Sequence, residues 1–439
     1  MMLIDRFLRA GGLGLVVVVV GAGGLFKSDN FYGTLLRGVD AQFYYAAARS
    51  VVVSGDWDVT DDLPLAPWQG PFQSSVGVPR RPDGGIKNVF PAGLSLVEAV
   101  FLKAACARGT STPGAAPGYS RSEIATVAVG LLLLAAVGLQ VTYSLVRPLT
   151  TPGWAAAVVL ATWVGTPLLY YTAWFPFSVH PTTFALMTLM IVVADRIPAS
   201  PRANAYIVAF GVLAALLYLV RPHQTPYIVI LAAAKVMQVC RRDWREWLPG
   251  TALGLSACAG AMLLQASVHA VNVGSFTLLA HGHHDHPMIT GEFHWDDPRF
   301  DIVLMSPIRG LFWVTPIIAL SLAGYVVRAG AVPWWGWASL GNAAIQTSIL
   351  AFWSDPNQGE SFGIRLWCEH VPVVACGLAV LAGGPDRSHG ARWALAAAIG
   401  ACLAWTLPYL VMYSFMLIPQ DSTHSKVVSQ VLWLYRGLF

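Results

Sequence analysis

Apolar runs of membrane-crossing length recur from one end of this sequence to the other, and their recurrence limits the fold more than any other feature. They fall at about 8–26, 89–107, 123–146, 153–172, 177–194, 204–220, 224–240, 248–270, 306–327, 332–352, 367–384 and 392–416. A run of roughly 17–25 apolar residues crosses a hydrocarbon core of about 30 Å as a helix. In lipid, only helices and closed barrels satisfy their own backbone. The chain is 56% hydrophobic and 11% charged, whereas a soluble domain carries about 25% charged residues. The fold class expected is therefore an all-α polytopic membrane protein, with residues 1–439 as one transmembrane domain. The net charge of +4 is too small and too dispersed to point to nucleic acid. The six cysteines form no CxxC or zinc pattern and mostly lie inside apolar runs, where they read as small hydrophobes. The N-terminal apolar run lacks a clear small-x-small cleavage site and reads as a retained first span.

Arginine orients the spans. The short connections "VRPLTT", "DRIPASPR", "CRRDWREW", "VRAG" and "GPDRSHGAR" all carry it, as does the N-terminus at Arg6 and Arg9. The positive-inside rule makes these cytoplasmic. Parity then holds only if 89–107 does not cross, which makes 27–122 one large external loop holding two surface-lying helices, near 40–54 and 90–105. About eleven spans follow, with the N-terminus in and the C-terminus out. A second long external loop covers 271–305. No Walker or Rossmann glycine motif is present for a nucleotide, and no internal repeat of the transporter kind is visible. The polar and ionisable residues gather on the external side.

Within the first loop, Asp40 is followed four residues on by Tyr44, then by Arg49 and by Gly55-Asp56-Trp57. Asp40 and Tyr44 share a helical face by this spacing. Read from the residues alone, Asp40 either N-caps a helix over 41–53 or is a positioned carboxylate. "IKNVFPAGLSLVEAVFL" follows at 86–102, and "SVHP", "SPIRGLFWVTPIIALSLAGY" and "WSDPNQGESFGIRLWCEHVPVV" come later. In order and topology these stretches resemble the GT-C membrane glycosyltransferases, closest to the bacterial branch of lipid A aminoarabinose transferases and protein O-mannosyltransferase-like proteins. One departure is that Ala41 stands where that branch often has Glu.

The resemblance implies a GT-C-like helical bundle. It also implies an inverting transfer of sugar from a polyprenyl-phosphate donor to a glycan, lipid or protein acceptor, outside the plasma membrane of a bacterium. An acceptor hydroxyl needs a base, which a carboxylate supplies; a departing phosphate needs cations more than acid. Asp40 is then expected as the catalytic base, with Tyr44 orienting a substrate. Lys87, Arg309, Arg365 and Arg221 are expected on the donor phosphate, since arginines at span ends are costly unless they snorkel or meet an anion. Arg80 and Arg81 read as a solvated face or headgroup contact.

No cofactor is required. A divalent metal stays open, with Asp56, Asp58, His283 and His286 as its weak candidates, although "SGDWD" reads first as a turn and the His-rich tract matches no defined site. His180 and His223 read first as packing histidines. The rival function is a non-enzymatic membrane protein, either a lipid-linked-sugar transporter or a catalytically lapsed relative.

Overall fold

In the computed structural model the apolar runs within the described residues become helices, and most of their ends lie within a few residues of the expected ones. The structure describes residues 11, 12, 14, 18, 35–36, 38–66, 79–109, 114–198, 202–239, 244–280, 293–356, 358, 361–383, 387–415, 417–418 and 423–438. The expected first span at 8–26 falls almost wholly outside these residues, and His283 and His286 lie outside them. Strand pairing among the described residues is limited to two isolated bridges, Arg80 with Ile86 and Phe293 with Trp353. Among the described residues four helical segments are long and apolar enough to cross a membrane, 121–149, 203–220, 245–273 and 389–414.

The chain divides into two compact units. One comprises residues 14–138 and 171–290. It opens with α1 (Val39–Arg49), which runs on into a π-helical turn at Ser50–Ser54. Next come α2 (Ala92–Cys106) and the first part of α3 (Arg121–Val146). Beyond α4 (Pro152–Gly165) and α5 (Leu168–Ala173), this unit resumes with α6 (Val179–Arg196), α7 (Ala203–Val220), α8 (Thr225–Val239) and α9 (Leu248–Val273). Helix α7 is its hub and packs on α6, α9 and α2, while α1 packs on α2. Helices α7 and α9 cross at Gly211 and Gly254, where a Cβ on Gly211 would overlap the backbone of Gly254. Small residues at such a crossing let apolar helices approach backbone to backbone.

Helix α2 has 15 residues, about 22 Å at 1.5 Å per residue, which is shorter than the hydrocarbon core. Two buried devices fix the loop around α1 and α2. The Arg49 guanidinium pairs with Asp62, donates from Nε to the Pro117 carbonyl (2.7 Å) and lies 5.1 Å from the Tyr119 ring centre. The Tyr119 hydroxyl donates to the Asp62 carbonyl (2.9 Å), and that of Tyr45 donates to Gly118 (2.6 Å). This joins the early part of the loop to its end. Just beyond, Ser120 and Glu123 form a reciprocal capping box: the Ser120 amide donates to Glu123 Oε2 (2.9 Å) and the Glu123 amide to Ser120 Oγ (3.3 Å).

The other unit comprises residues 1–13, 139–170 and 291–439. Its later helices are α10 (Phe300–Met305), α11 (Leu311–Val314), α12 (Ile317–Val327), α13 (Trp334–Phe352), α14 (Val371–Ala382), α15 (His389–Ser414) and α16 (His424–Leu438). Helix α14 is its centre, every residue from Val371 to Val380 being buried, and it packs on α12, α4 and α13. Two expected spans are broken by proline. The run 153–172 is interrupted at Thr166-Pro167, and 306–327 at Thr315-Pro316. In each case the residue before proline leaves the helical region, as the clash with the proline ring demands.

Candidate functional site

The first turn of α1 carries Asp40, and the N-cap of that helix is Gly38, with no side-chain cap. The capping alternative for Asp40 therefore drops out. Asp40 is half-buried one turn before Tyr44, near the positive end of the helix dipole, where a carboxylate is favoured. Tyr44 is 5% exposed, and its ring centre lies 5.0 Å from that of Phe90; Phe43 meets the same ring at 5.5 Å. Phe90 stands three residues after Lys87, in the segment that leads into α2.

That segment is pinned along its length. The Lys87 amide donates to the Pro79 carbonyl (2.8 Å), the Asn88 amide to the Asn272 carbonyl (3.1 Å) and the Phe90 amide to Asn88 Oδ1 (3.0 Å). Lys87 itself is half-buried. At Gly93, in the first turn of α2, a Cβ would overlap the backbone of Leu219 and Val220, so only glycine permits this approach. The next residue is Arg221, which is buried and ends α7, its amide donating to the Leu217 carbonyl (2.8 Å). Asp40, Tyr44, Lys87 and Arg221 thus stand on elements in direct contact within one unit.

Arg309 and Arg365 belong to the other unit. Arg309 donates from Nε to the Ser361 carbonyl (3.0 Å), and Ser361 Oγ donates to the Gly363 carbonyl (3.0 Å). Arg365 follows two residues later, half-buried, at the start of a 3-10 turn at Arg365–Cys368. The Tyr409 hydroxyl on α15 reaches the Ile308 carbonyl (2.9 Å), fixing the backbone beside Arg309. The two arginines accordingly share one loop neighbourhood.

The acidic run is occupied by turn contacts. Asp56 Oδ1 accepts from Ser50 Oγ (2.6 Å) and from the Asp58 amide (3.0 Å). Asp58 accepts from the Thr60 amide (3.0 Å) and pairs with Arg81 Nη2 (2.7 Å). Burial alone would raise the Asp58 carboxyl, but the bonds from Arg81 and Thr60 hold it below its usual range. Arg81 also donates to Asp83 (3.1 Å) and to the Val271 carbonyl (2.6 Å), while Arg80 closes a local turn on the Gly84 carbonyl (2.8 Å). Among the described residues no three His, Cys, Asp or Glu side chains gather to hold a metal ion.

His180 is buried with its ring 4.9 Å from that of Tyr171, and His223 is exposed. Two further residues had no signal in the sequence. Gln265 and His269 on α9, 0% and 2% exposed, reach the N-terminus of α2: the Ala92 amide donates to Gln265 Oε1 (3.0 Å). One helical turn apart in an apolar run, each reads alone as packing.

The helical fold of the chain has a counterpart among solved structures. No family model matches the sequence, and no curated protein matches it. Among solved structures it is similar to ArnT from Cupriavidus metallidurans bound to undecaprenyl phosphate, with a TM-score of 0.51 and 16% identity over 96% of this chain and 74% of that one. The same protein in the apo state gives a TM-score of 0.48 and 14% identity over 96% of this chain and 74% of that one.

Proposed function

We propose that this protein is a glycosyltransferase that takes its sugar from a polyprenyl-phosphate donor and passes it, with inversion, to an acceptor at the external face of a bacterial plasma membrane. The observation that carries this reading is the contact of α1, the 87–90 segment, α2 and the end of α7, the elements that carry Asp40, Tyr44, Lys87 and Arg221. The GT-C fold and the undecaprenyl phosphate held by the similar ArnT structure support the donor class.

In this scheme Asp40 takes the acceptor proton as the hydroxyl oxygen attacks the anomeric carbon. The bond to the donor phosphate oxygen breaks on the opposite side. Lys87 and Arg221 receive the negative charge as the polyprenyl phosphate departs. Tyr44 is held by Phe90 and presents the same helix face as Asp40, which suits an orienting role. The missing carboxylate at Ala41 falls on a fully buried position, so a Glu there would face packing in this chain.

Purified protein in lipid nanodiscs, given a polyprenyl-phosphate sugar labelled in the sugar together with an extract of envelope glycans and lipids, is expected to release polyprenyl phosphate and label the acceptor. Binding of the donor with neither release nor labelling would favour the lapsed or transport reading instead.

A further inference from the structure

A continuous chain of hydrogen bonds joins α9 to the segment that carries Lys87, and its polarity can be assigned from chemistry. His269 Nδ1 lies 2.8 Å from the Thr277 carbonyl, which only accepts, so Nδ1 bears the proton. In the neutral ring Nε2 is then an acceptor, and Gln265 Nε2, 2.7 Å away, donates to it. That orientation turns Gln265 Oε1 toward the Ala92 amide, which donates to it at 3.0 Å. One tautomer and one amide orientation are compatible with all three bonds, and the Val89 backbone also bonds the His269 ring. Beside this chain the Asn272 carbonyl accepts the Asn88 amide (3.1 Å), and the Val271 carbonyl accepts Arg81 Nη1 (2.6 Å).

The residues between these anchors are 82–91, and Lys87 stands among them with no regular secondary structure of its own. A cation on a loop segment positions a phosphate only as well as its backbone is held. Here the holding groups are side chains of a different helix, 173 residues away in sequence for the Ala92–Gln265 bond. Two polar side chains buried in an apolar helix are costly unless their bonds are made.

We propose that Gln265 and His269 are positioning residues for the donor-phosphate site: they clasp the N-terminus of α2 and thereby fix the place of Lys87. This rests on the donor reading given above. Neither residue is expected to touch the phosphate, so neither is a catalytic residue.

The test uses the full chain in nanodiscs, with undecaprenyl phosphate as the probe and amide hydrogen exchange as the second measurement. Wild-type amides of Asn88, Phe90 and Ala92 are expected to exchange slowly, like those of α9. Gln265→Leu and His269→Leu are expected to speed their exchange and to weaken undecaprenyl phosphate binding about tenfold, the scale of one buried hydrogen bond lost. The thermal midpoint of the transmembrane helices should move little. His269→Gln supplies both an acceptor and a donor, and is expected to recover most of the loss.

Fast exchange at these amides in the wild type would overturn the clasp, even if the leucine variants failed to fold. So would leucine variants with wild-type exchange and binding, or a His269→Gln as impaired as His269→Leu. A wild-type protein that ignores undecaprenyl phosphate but shows the protected amides would overturn the donor reading alone.

Discussion

The ring of Tyr44 rests 5.0 Å from that of Phe90, and this contact sets the face of α1 that bears Asp40 against the segment that bears Lys87. A base and a phosphate-binding cation need that kind of adjacency if both act on one sugar.

Asp40→Asn keeps the size of the side chain and removes its basicity. Loss of a general base costs about 10²–10⁴-fold in rate. Because Gly38 is the N-cap, the substitution is not expected to cost a cap's worth of stability. Sugar transfer should collapse while donor binding and the thermal midpoint hold. Transfer at near wild-type rate would move the base elsewhere.

Lys87→Ala and Arg221→Ala should each weaken undecaprenyl phosphate binding by about 10- to 100-fold, the range of a hydrogen bond to a charged group. Titration of nanodisc-embedded protein reads this directly. An unchanged affinity for both variants would remove the unit containing α1 and α2 from the donor site.

The ion pair of Asp58 with Arg81 gives the first loop a pH dependence of known sign. Arg81 and Thr60 hold the Asp58 carboxyl below its ordinary value, against the opposing effect of burial. A depressed carboxylate contributes stability that is present above the unfolded value of about 3.9 and is lost as pH falls through the folded one. Protease protection of residues 58–66 and 79–86 should be flat from about pH 7 to 5 and fall below about pH 4. Asp58→Asn should lower it throughout and weaken the acid step; a partly exposed pair contributes no more than about 1 kcal/mol.

Glu98 on α2 is 0% exposed, and neither carboxyl oxygen has a hydrogen-bond partner. Burial pushes its carboxyl well above the ordinary carboxylate range, so it folds protonated. Glu98→Leu removes a buried polar group and keeps most of its volume, and should stabilise the protein by about 1–3 kcal/mol. Thermal unfolding should show a higher midpoint for Glu98→Leu and little gain for Glu98→Gln. A lower midpoint for the leucine variant would mean that the carboxyl is bonded in the membrane-bound protein.

Hydropathy alone located α3, α7, α9 and α13, because a span must be apolar along its whole length. It could not place the breaks at Pro167 and Pro316 within runs that stay apolar on both sides. It also missed α16, whose buried Val427 and Val431 alternate with exposed Leu432 and Trp433 and with Lys426 and Arg436. Such a helix is apolar on one face only, so its average hydropathy is low. Of the residues proposed for the site, Asp40, Tyr44 and Lys87 stand out in the sequence because they cluster in one polar loop. The Gln265–His269 pair was not, since its meaning depends on an amide that only the fold brings near.

The meeting of α2 with α7 at Gly93 has a mechanical consequence. With no side chain between them, the start of α2 bears directly on the last turn of a segment long and apolar enough to cross a membrane. The 18 residues of α7 measure about 27 Å, slightly less than a typical core of about 30 Å. A short span adjusts to a thicker bilayer by shifting or by thinning the lipid around it. Each such adjustment is handed on to the start of α2 through backbone rather than through yielding side chains. The acyl-chain length of the surrounding lipid is thereby expected to bear on where the start of α2 lies.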